Sequence, residues 1–183
     1  MQRVVVVGAS GAGKTTLAQE LANRMRVPHV ELDALHWGPN WTSTPTEILR
    51  QRVEAAIAGD GWIVSGNYLK LRDSIWPQAD TLIWLDYPMQ LVMWRVVRRT
   101  VGRCITGERL WGGNVETWRL SFFDKESIIA WAWTTWRKQR RDYPKLFRLP
   151  VYRRIRKLHF TSPAQTRDWL NQIKFANPNA VNH

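Results

Sequence analysis

Gly8-Ala9-Ser10-Gly11-Ala12-Gly13-Lys14-Thr15 fits the pattern G-x-x-x-x-G-K-[ST], and its flanks decide the fold. Upstream, Arg3-Val4-Val5-Val6-Val7 is a β-branched run with the composition of a buried strand. Downstream, Leu17, Leu21, Ala22 and Met25 recur at helical spacing. Strand, glycine-rich loop and helix in that order make a phosphate cradle. Glycines let backbone N–H groups turn inward around phosphate oxygens, and the helix N-terminus adds the positive end of its dipole. Gly8, Ser10, Gly11, Ala12, Gly13, Lys14, Thr15 and Thr16 are therefore the candidate nucleotide-binding residues. Lys14 supplies a point charge to the β- and γ-phosphates, and Thr15 a hydroxyl for the metal, which implies ATP and Mg²⁺.

A length of 183 residues suits one domain, 1–183, with a substantial core. No apolar run approaches a membrane span. The N-terminus lacks the charged start and cleavage site of a signal peptide, and the first strand begins almost at Met1. The single cysteine, Cys104, excludes an internal disulfide framework and points to a cytoplasmic location. The four histidines are dispersed, so no zinc site is expected.

Charge is lopsided. Residues 1–93 carry a net −1, residues 94–160 a net +12 and the remainder a net +1. Such a stretch attracts polyanions: several small-molecule phosphates, or secondarily a nucleic-acid backbone. Of the twelve tryptophans, Trp84 and Trp131 fall in apolar stripes and read as core, whereas Trp37, Trp41, Trp111 and Trp118 fall in loops and are candidates for ring stacking.

Strands and helices alternate along the chain. Strands are expected near 2–8, 28–32, 61–65, 80–85 and 156–160, and helices near 14–26, 44–58, 69–76, 88–101, 123–142 and 162–173. Residues 102–120, with four glycines among charges, read as a mobile, arginine-rich lid, and the tail from 177 is expected to be disordered. The pattern predicts an α/β, three-layer fold, with a five-stranded, mostly parallel sheet between helices. The glycine spacing departs from G-x-G-x-x-G, which disfavours a dinucleotide fold. Asp86 is followed by Tyr87-Pro88 with no glutamate, which disfavours a motor ATPase.

Gly8 to Thr16, Leu32-Asp33-Ala34-Leu35-His36-Trp37, Trp62-Ile63-Val64-Ser65-Gly66-Asn67-Tyr68 and Ala79 to Asp86 together resemble the adenylate-kinase-like superfamily of P-loop kinases. Within it the chain is most similar to the DNA topology modulation (FlaR-type) proteins. Arg99-Thr100-Val101-Gly102-Arg103 is similar to that superfamily's R-x-x-G-R at the lid entrance. The resemblance implies an ATP-Mg core, an acceptor site beyond strands two and three, and a closing lid. Relatives often carry Asp-Gly-Asn where this chain has Ser65-Gly66-Asn67, so Asp33 or Asp86 would have to supply the missing metal-ordering carboxylate, with Thr15 as the direct ligand.

Asp33, at the carboxyl edge of strand two, would accept the acceptor's proton or hold the metal's water shell. His36 and Trp37 would wall the acceptor site, Asn67 and Tyr68 would hydrogen-bond the acceptor, and Arg72, four residues on, would grip it. Arg99 and Arg103 share a helix face, one to stack on adenine and one to touch phosphate. Arg109, Arg119, Arg137 and Arg141 are further candidates for stabilising transferred charge, Arg137 and Arg103 being singled out as catalytic. Thr161-Ser162-Pro163 would line the adenine pocket, as the resemblance implies. The leading functional reading is transfer of the ATP γ-phosphate to a small acceptor, a nucleotide, nucleoside or other hydroxyl compound. An ATP-binding, nucleic-acid-associated regulator and a polynucleotide kinase are the alternatives. No membrane partner is expected.

Overall fold

The structure is a computed structural model and describes residues 1–123 and 128–173. Five strands, β1 (Arg3–Gly8), β2 (His29–Glu31), β3 (Trp62–Ser65), β4 (Thr81–Leu85) and β5 (Arg156–Phe160), form one sheet in the order β2-β3-β1-β4-β5. Every pairing is parallel, so the sheet expected as mostly parallel is wholly so. The helices are α1 (Lys14–Met25), α2 (Leu32–His36), α3 (Thr46–Ala56), α4 (Arg72–Ile75), α5 (Met89–Thr106), α6 (Ile128–Phe147) and α7 (Pro163–Gln172).

Alternation along the strands sorts the core into two layers. Val5, Val7, Val64, Leu82 and Trp84 face α3, α4 and the end of α6, where Leu49, Val53, Ile75 and Tyr143 meet them. Val4, Val6, Ile63, Ile83 and Leu85 face α1, α5 and α7, packing on Leu17, Leu21, Val92 and Trp169. The four valines of β1 are buried on both sides, as a central parallel strand requires. Each contributes about 1.5–3 kcal/mol by leaving water.

Parallel pairing brings the carboxyl ends of all strands to one edge. The chain runs from β1 out to β2, back to β3 and then across β1 to β4, and the switch point beside β1 is where open α/β sheets bind ligands. Gly8, Glu31 and Ser65 all end their strands there, with Glu31 opposite Ser65 in the register.

Several element boundaries differ from the sequence reading, the helix expected at 69–76 among them. Asp33 lies inside the first turn of α2, which begins directly after Glu31. Helix α5 runs through Gly102, whose helical cost of about 1 kcal/mol does not outweigh the continuing hydrogen bonds, and stops at Gly107, which caps it at φ 63. Helix α6 continues past Pro144 to Phe147, because Tyr143 and Phe147 are anchored against Trp76 and Trp84. The expectation for 177–183 falls outside the described residues. Among the described residues no helix is long and apolar enough to cross a membrane.

Candidate active site

The loop between β1 and α1 curls over the sheet edge so tightly that side chains are excluded from parts of it. Gly11 sits at φ 80, and a Cβ there would come within 2.7 Å of Val96 and 2.8 Å of the Val92 carbonyl. Asn67 braces the loop's root: its Oδ1 accepts from the Gly8 N–H at 3.1 Å, and its Nδ2 donates to the Gly8 carbonyl at 2.6 Å. The Tyr143 hydroxyl donates to the same Oδ1 at 3.3 Å. The amide expected to reach the acceptor thus works on the loop backbone. Asn67→Ala removes both bonds to Gly8 at a cost of about 1–3 kcal/mol. We expect a lowered thermal midpoint and about tenfold weaker ATP binding, checked by calorimetry on the variant.

Lys14 is half-buried, and its Nζ donates to the Ala9 carbonyl at 3.2 Å. Burial pushes its pKa down to about 8; Asp33 and Glu31 oppose the shift, while Arg99 adds to it. An ammonium held in this way, with no ion pair among the described residues, suits a ligand that brings its own negative charge.

The Thr15 hydroxyl donates to Glu31 Oε1 at 2.7 Å, and the indole Nε1 of Trp111 donates to Glu31 Oε2 at 3.1 Å. Glu31 was not singled out by the sequence reading. Its signal is the register, which sets it opposite Ser65 at the sheet edge. Ser65 itself is buried and bonded to His29 Nε2 at 2.9 Å. A hydroxyl and a carboxylate beside the phosphate loop fit Mg²⁺, which takes oxygen ligands and keeps several waters. Thr15 would hold the ion, Glu31 would order its water shell, and nucleotide phosphate would complete it. Among the described residues, no group of three or more His, Cys, Asp or Glu side chains could hold a metal unaided.

Asp86, expected to serve the metal, is turned elsewhere. It is 5% exposed, its Oδ1 lies 2.8 Å from Arg140 Nε without hydrogen-bond alignment, and its Oδ2 lies 3.1 Å from His159 Nε2. The sheet order explains this, since β4 lies across β1 from Glu31 and beside β5, which carries His159.

Asp33 is half-buried and accepts a 2.7 Å hydrogen bond from the Tyr68 hydroxyl. Burial and the adjacent Asp33 raise the Tyr68 pKa strongly, so the phenol stays protonated and remains a donor. His36 packs edge-on against Trp37 at 4.6 Å and Tyr68 at 4.9 Å, and Trp37 packs against Trp41. His36, Tyr68 and Asn67 line a cleft between α3 and α6, bounded also by Lys70, Trp131 and Lys138. Trp131, read as core, is 48% exposed there.

Arg72 does not join this group. A tight turn at Leu69–Leu71 precedes α4, so the assumed helix face shared with Tyr68 does not exist. Its Nε pairs with Asp73 at 3.0 Å, beside Tyr152. Arg137 lies over the exposed Trp133 ring at 5.2 Å, a surface contact that leaves it no place among the loop's partners.

Helix α5 presents the arginines that do reach the loop. Arg99 Nη2 donates to Ser10 Oγ at 3.1 Å, while its buried Nε has no hydrogen-bond partner among the described residues. Arg95, absent from the sequence expectations for the site, lies 3.5 Å from the Ala12 carbonyl and over the Tyr87 ring at 5.6 Å. Arg103 is held by Glu108 at 3.3 Å and Glu116 at 3.0 Å. Burial and the neighbouring Arg103 push the Arg99 pKa down, as crowded cations do.

The segment expected as a mobile lid is helical to Thr106, and its tip is seated on the loop after α2. Asn114 is buried; its Oδ1 accepts from the Trp41 N–H at 2.8 Å, and its Nδ2 donates to the carbonyls of Gly38 at 2.8 Å and Trp111 at 2.6 Å. Gly112 approaches so closely that a Cβ would stand 2.6 Å from the Gly38 carbonyl carbon. Two of Asn114's bonds tie its segment to the loop after α2, about 1 kcal/mol each. Asn114→Ala should therefore speed amide exchange over 107–118 by about 10–30-fold at unchanged global stability, which hydrogen exchange with mass spectrometry measures.

Residues 1–59 match a family model described as PduV-EutP, ethanolamine utilisation and propanediol utilisation. A stretch of 33 residues is 52% identical to shikimate kinase of Enterococcus faecalis, covering 18% of this chain and 20% of that protein. The match thus spans a fifth of that curated relative's length. Over 93% of the chain, the structure is similar to a gluconokinase from Sinorhizobium meliloti 1021 (TM-score 0.50, 17% identity, 90% of that chain). It is also similar to a shikimate kinase from Bacteroides thetaiotaomicron (TM-score 0.52, 12% identity, 93% of this chain and 94% of that one). A sugar kinase from Janibacter sp. matches 94% of both chains at TM-score 0.50 and 16% identity. The chain therefore has the α/β fold of the small P-loop kinases, a wholly parallel five-stranded sheet with helices on both faces.

Proposed function

We propose that this chain is an ATP-dependent phosphotransferase of the FlaR-type branch, acting in the cytoplasm on a small hydroxyl acceptor. One observation carries the reading: the phosphate loop with Lys14 and the Asp33–Tyr68 pair stand at the same sheet edge, with the lining of a cleft beside them. The phosphate loop and α1 N-terminus bind the triphosphate, and Lys14, Arg95 and Arg99 face its charge. Mg²⁺, when bound, neutralises the developing charge on the β- and γ-phosphate oxygens. Asp33 takes the proton of the acceptor hydroxyl, with Tyr68 fixing its orientation. The hydroxyl oxygen forms a bond to the γ-phosphorus as the bond from that phosphorus to the β,γ-bridging oxygen breaks, and ADP leaves. Catalysis then rests on positioning and electrostatics, as phosphoryl transfer generally does. Incubating the purified chain with γ-³²P-ATP, Mg²⁺ and a metabolite pool tests this: a labelled organic product is expected, and label in inorganic phosphate alone contradicts it.

A second reading has its own observation. Trp94 with Arg98 and Trp133 with Arg137 form exposed ring–guanidinium pairs at 5.3 and 5.2 Å, a surface suited to stacking on bases. Sub-micromolar DNA binding at physiological salt that ATP-Mg leaves unchanged would favour a nucleic-acid-associated regulator. Weak binding that ATP-Mg competes away favours the kinase.

A further inference from the structure

The cleft beside Asp33 measures about 420 Å³, within the range of metabolite sites. Helix α6 turns one stripe toward it, Trp131, Thr135, Lys138, Gln139 and Asp142, at helical spacing. A helix face that only packed would be apolar; between its two rings, Trp131 and the core residue Tyr143, this one is polar. Gln139 is 95% buried (5% exposed), yet its Nε2 has no hydrogen-bond partner among the described residues. The Nδ1 of His36, on the facing wall, also has none. Buried donors without acceptors are rare and costly, and an oxygen-rich ligand relieves them.

Charge is divided between the cleft and the sheet edge that Tyr68 joins to it. At the edge next to the phosphate loop stands a carboxylate, Asp33, with the Tyr68 hydroxyl. Arg72, expected to grip the acceptor there, is turned to Asp73. A phosphate acceptor would meet repulsion from Asp33, whereas a hydroxyl would find its base. The walls carry two ammonium groups, Lys70 and Lys138, which make no ion pair among the described residues. Asp142, which lines the same cleft, is paired with Arg141 at 2.8 Å and lies within Coulombic reach of Lys138.

We infer that the acceptor is a small hydroxylated anion: its reacting hydroxyl lies at Asp33, its carboxylate or phosphate on Lys70 and Lys138, and its other oxygens on Gln139 and His36 against the Trp131 ring. This rests on the phosphotransferase reading above, and it names the substrate class of that site. Nucleoside monophosphates accepting on phosphate, and neutral nucleosides, are excluded by the same charges.

The test uses the full chain and matched probes: D-gluconate, D-glucitol 6-phosphate, neutral D-glucitol, adenosine and AMP. Binding is read by calorimetry without nucleotide, and transfer separately with γ-³²P-ATP. One or both of the anionic polyols should bind at least about tenfold tighter than D-glucitol, and which one does so identifies the anionic group. Lys70→Met and Lys138→Met should each weaken that binding about tenfold, the effect of losing one charge-assisted contact, while ATP affinity stays as in the wild type. Anion-selective binding without transfer would count against the phosphotransferase reading and leave the ligand class standing. D-glucitol or adenosine binding as well as both anions, conversion of AMP to ADP, or no heat from either anionic polyol at millimolar concentration would overturn the inference.

Discussion

Lys14→Ala is expected to weaken ATP-Mg binding by about 10–100-fold, the range for one hydrogen bond to a charged group. Lys14 is the loop's one cationic side chain, and its ammonium faces a ligand with several negative charges. Its pKa adds a second signature. Burial has lowered it to about 8 in the free protein, so at pH 9 most molecules carry a neutral amine. Bound phosphates favour the charged form, and binding above pH 8 must therefore take up a proton. ATP affinity should fall about tenfold between pH 7 and pH 9, because one pKa unit corresponds to a factor of ten. The stability of the free protein moves the other way. The unfolded chain holds this proton up to the ordinary lysine value near 10.5, so between about 8 and that value the Lys14 contribution to stability rises with pH. Titration calorimetry at several pH values reads the affinity. An unchanged affinity in Lys14→Ala, or a flat pH profile in the wild type, contradicts the assignment.

Asp33→Asn should lower kcat by about 10²–10⁴-fold, the contribution of a general base, while leaving ATP binding intact or slightly tighter. The substitution keeps the shape and still accepts the 2.7 Å bond from Tyr68, so what it removes is the proton acceptor and one negative charge near the phosphates. Tyr68→Phe keeps the carboxylate and loses only the group that orients it, so its loss in kcat should be smaller. Comparable kcat in Asp33→Asn and wild type would return Asp33 to a structural role. Steady-state kinetics on any accepted hydroxyl compound decides between them.

The core was legible in the sequence because local chemistry and fold agree there. A run of valines, a glycine loop and a helical stripe each specify one local structure, and together they form the β1–loop–α1 unit observed. What the sequence hid were partners set by the sheet order. Asp86 and Glu31 both end strands as carboxylates, and only the arrangement β2-β3-β1-β4-β5 shows that Glu31 meets Thr15 while Asp86 meets Arg140 and His159. Spacing arguments failed where the assumed helix did not form, as between Tyr68 and Arg72. They held on α5, where Arg99 and Arg103 occupy successive turns. Asn67 and Asn114 were illegible for another reason: a single amide that braces two backbones leaves no periodic trace. The α6 stripe was misread at Trp131 because a ring lining a cleft and a ring packing a core follow the same helical spacing.

The most direct test of phosphoryl transfer to a hydroxyl at the Asp33 edge is mass spectrometry of the reaction with ATP labelled by ¹⁸O on its γ-phosphate. An organic phosphate that carries the heavy non-bridging oxygens, joined through the acceptor's own unlabelled oxygen, is expected. This product should form in an acceptor-dependent way and be lost in Asp33→Asn. Heavy oxygen appearing only in inorganic phosphate, at the same rate with and without acceptor, would contradict it.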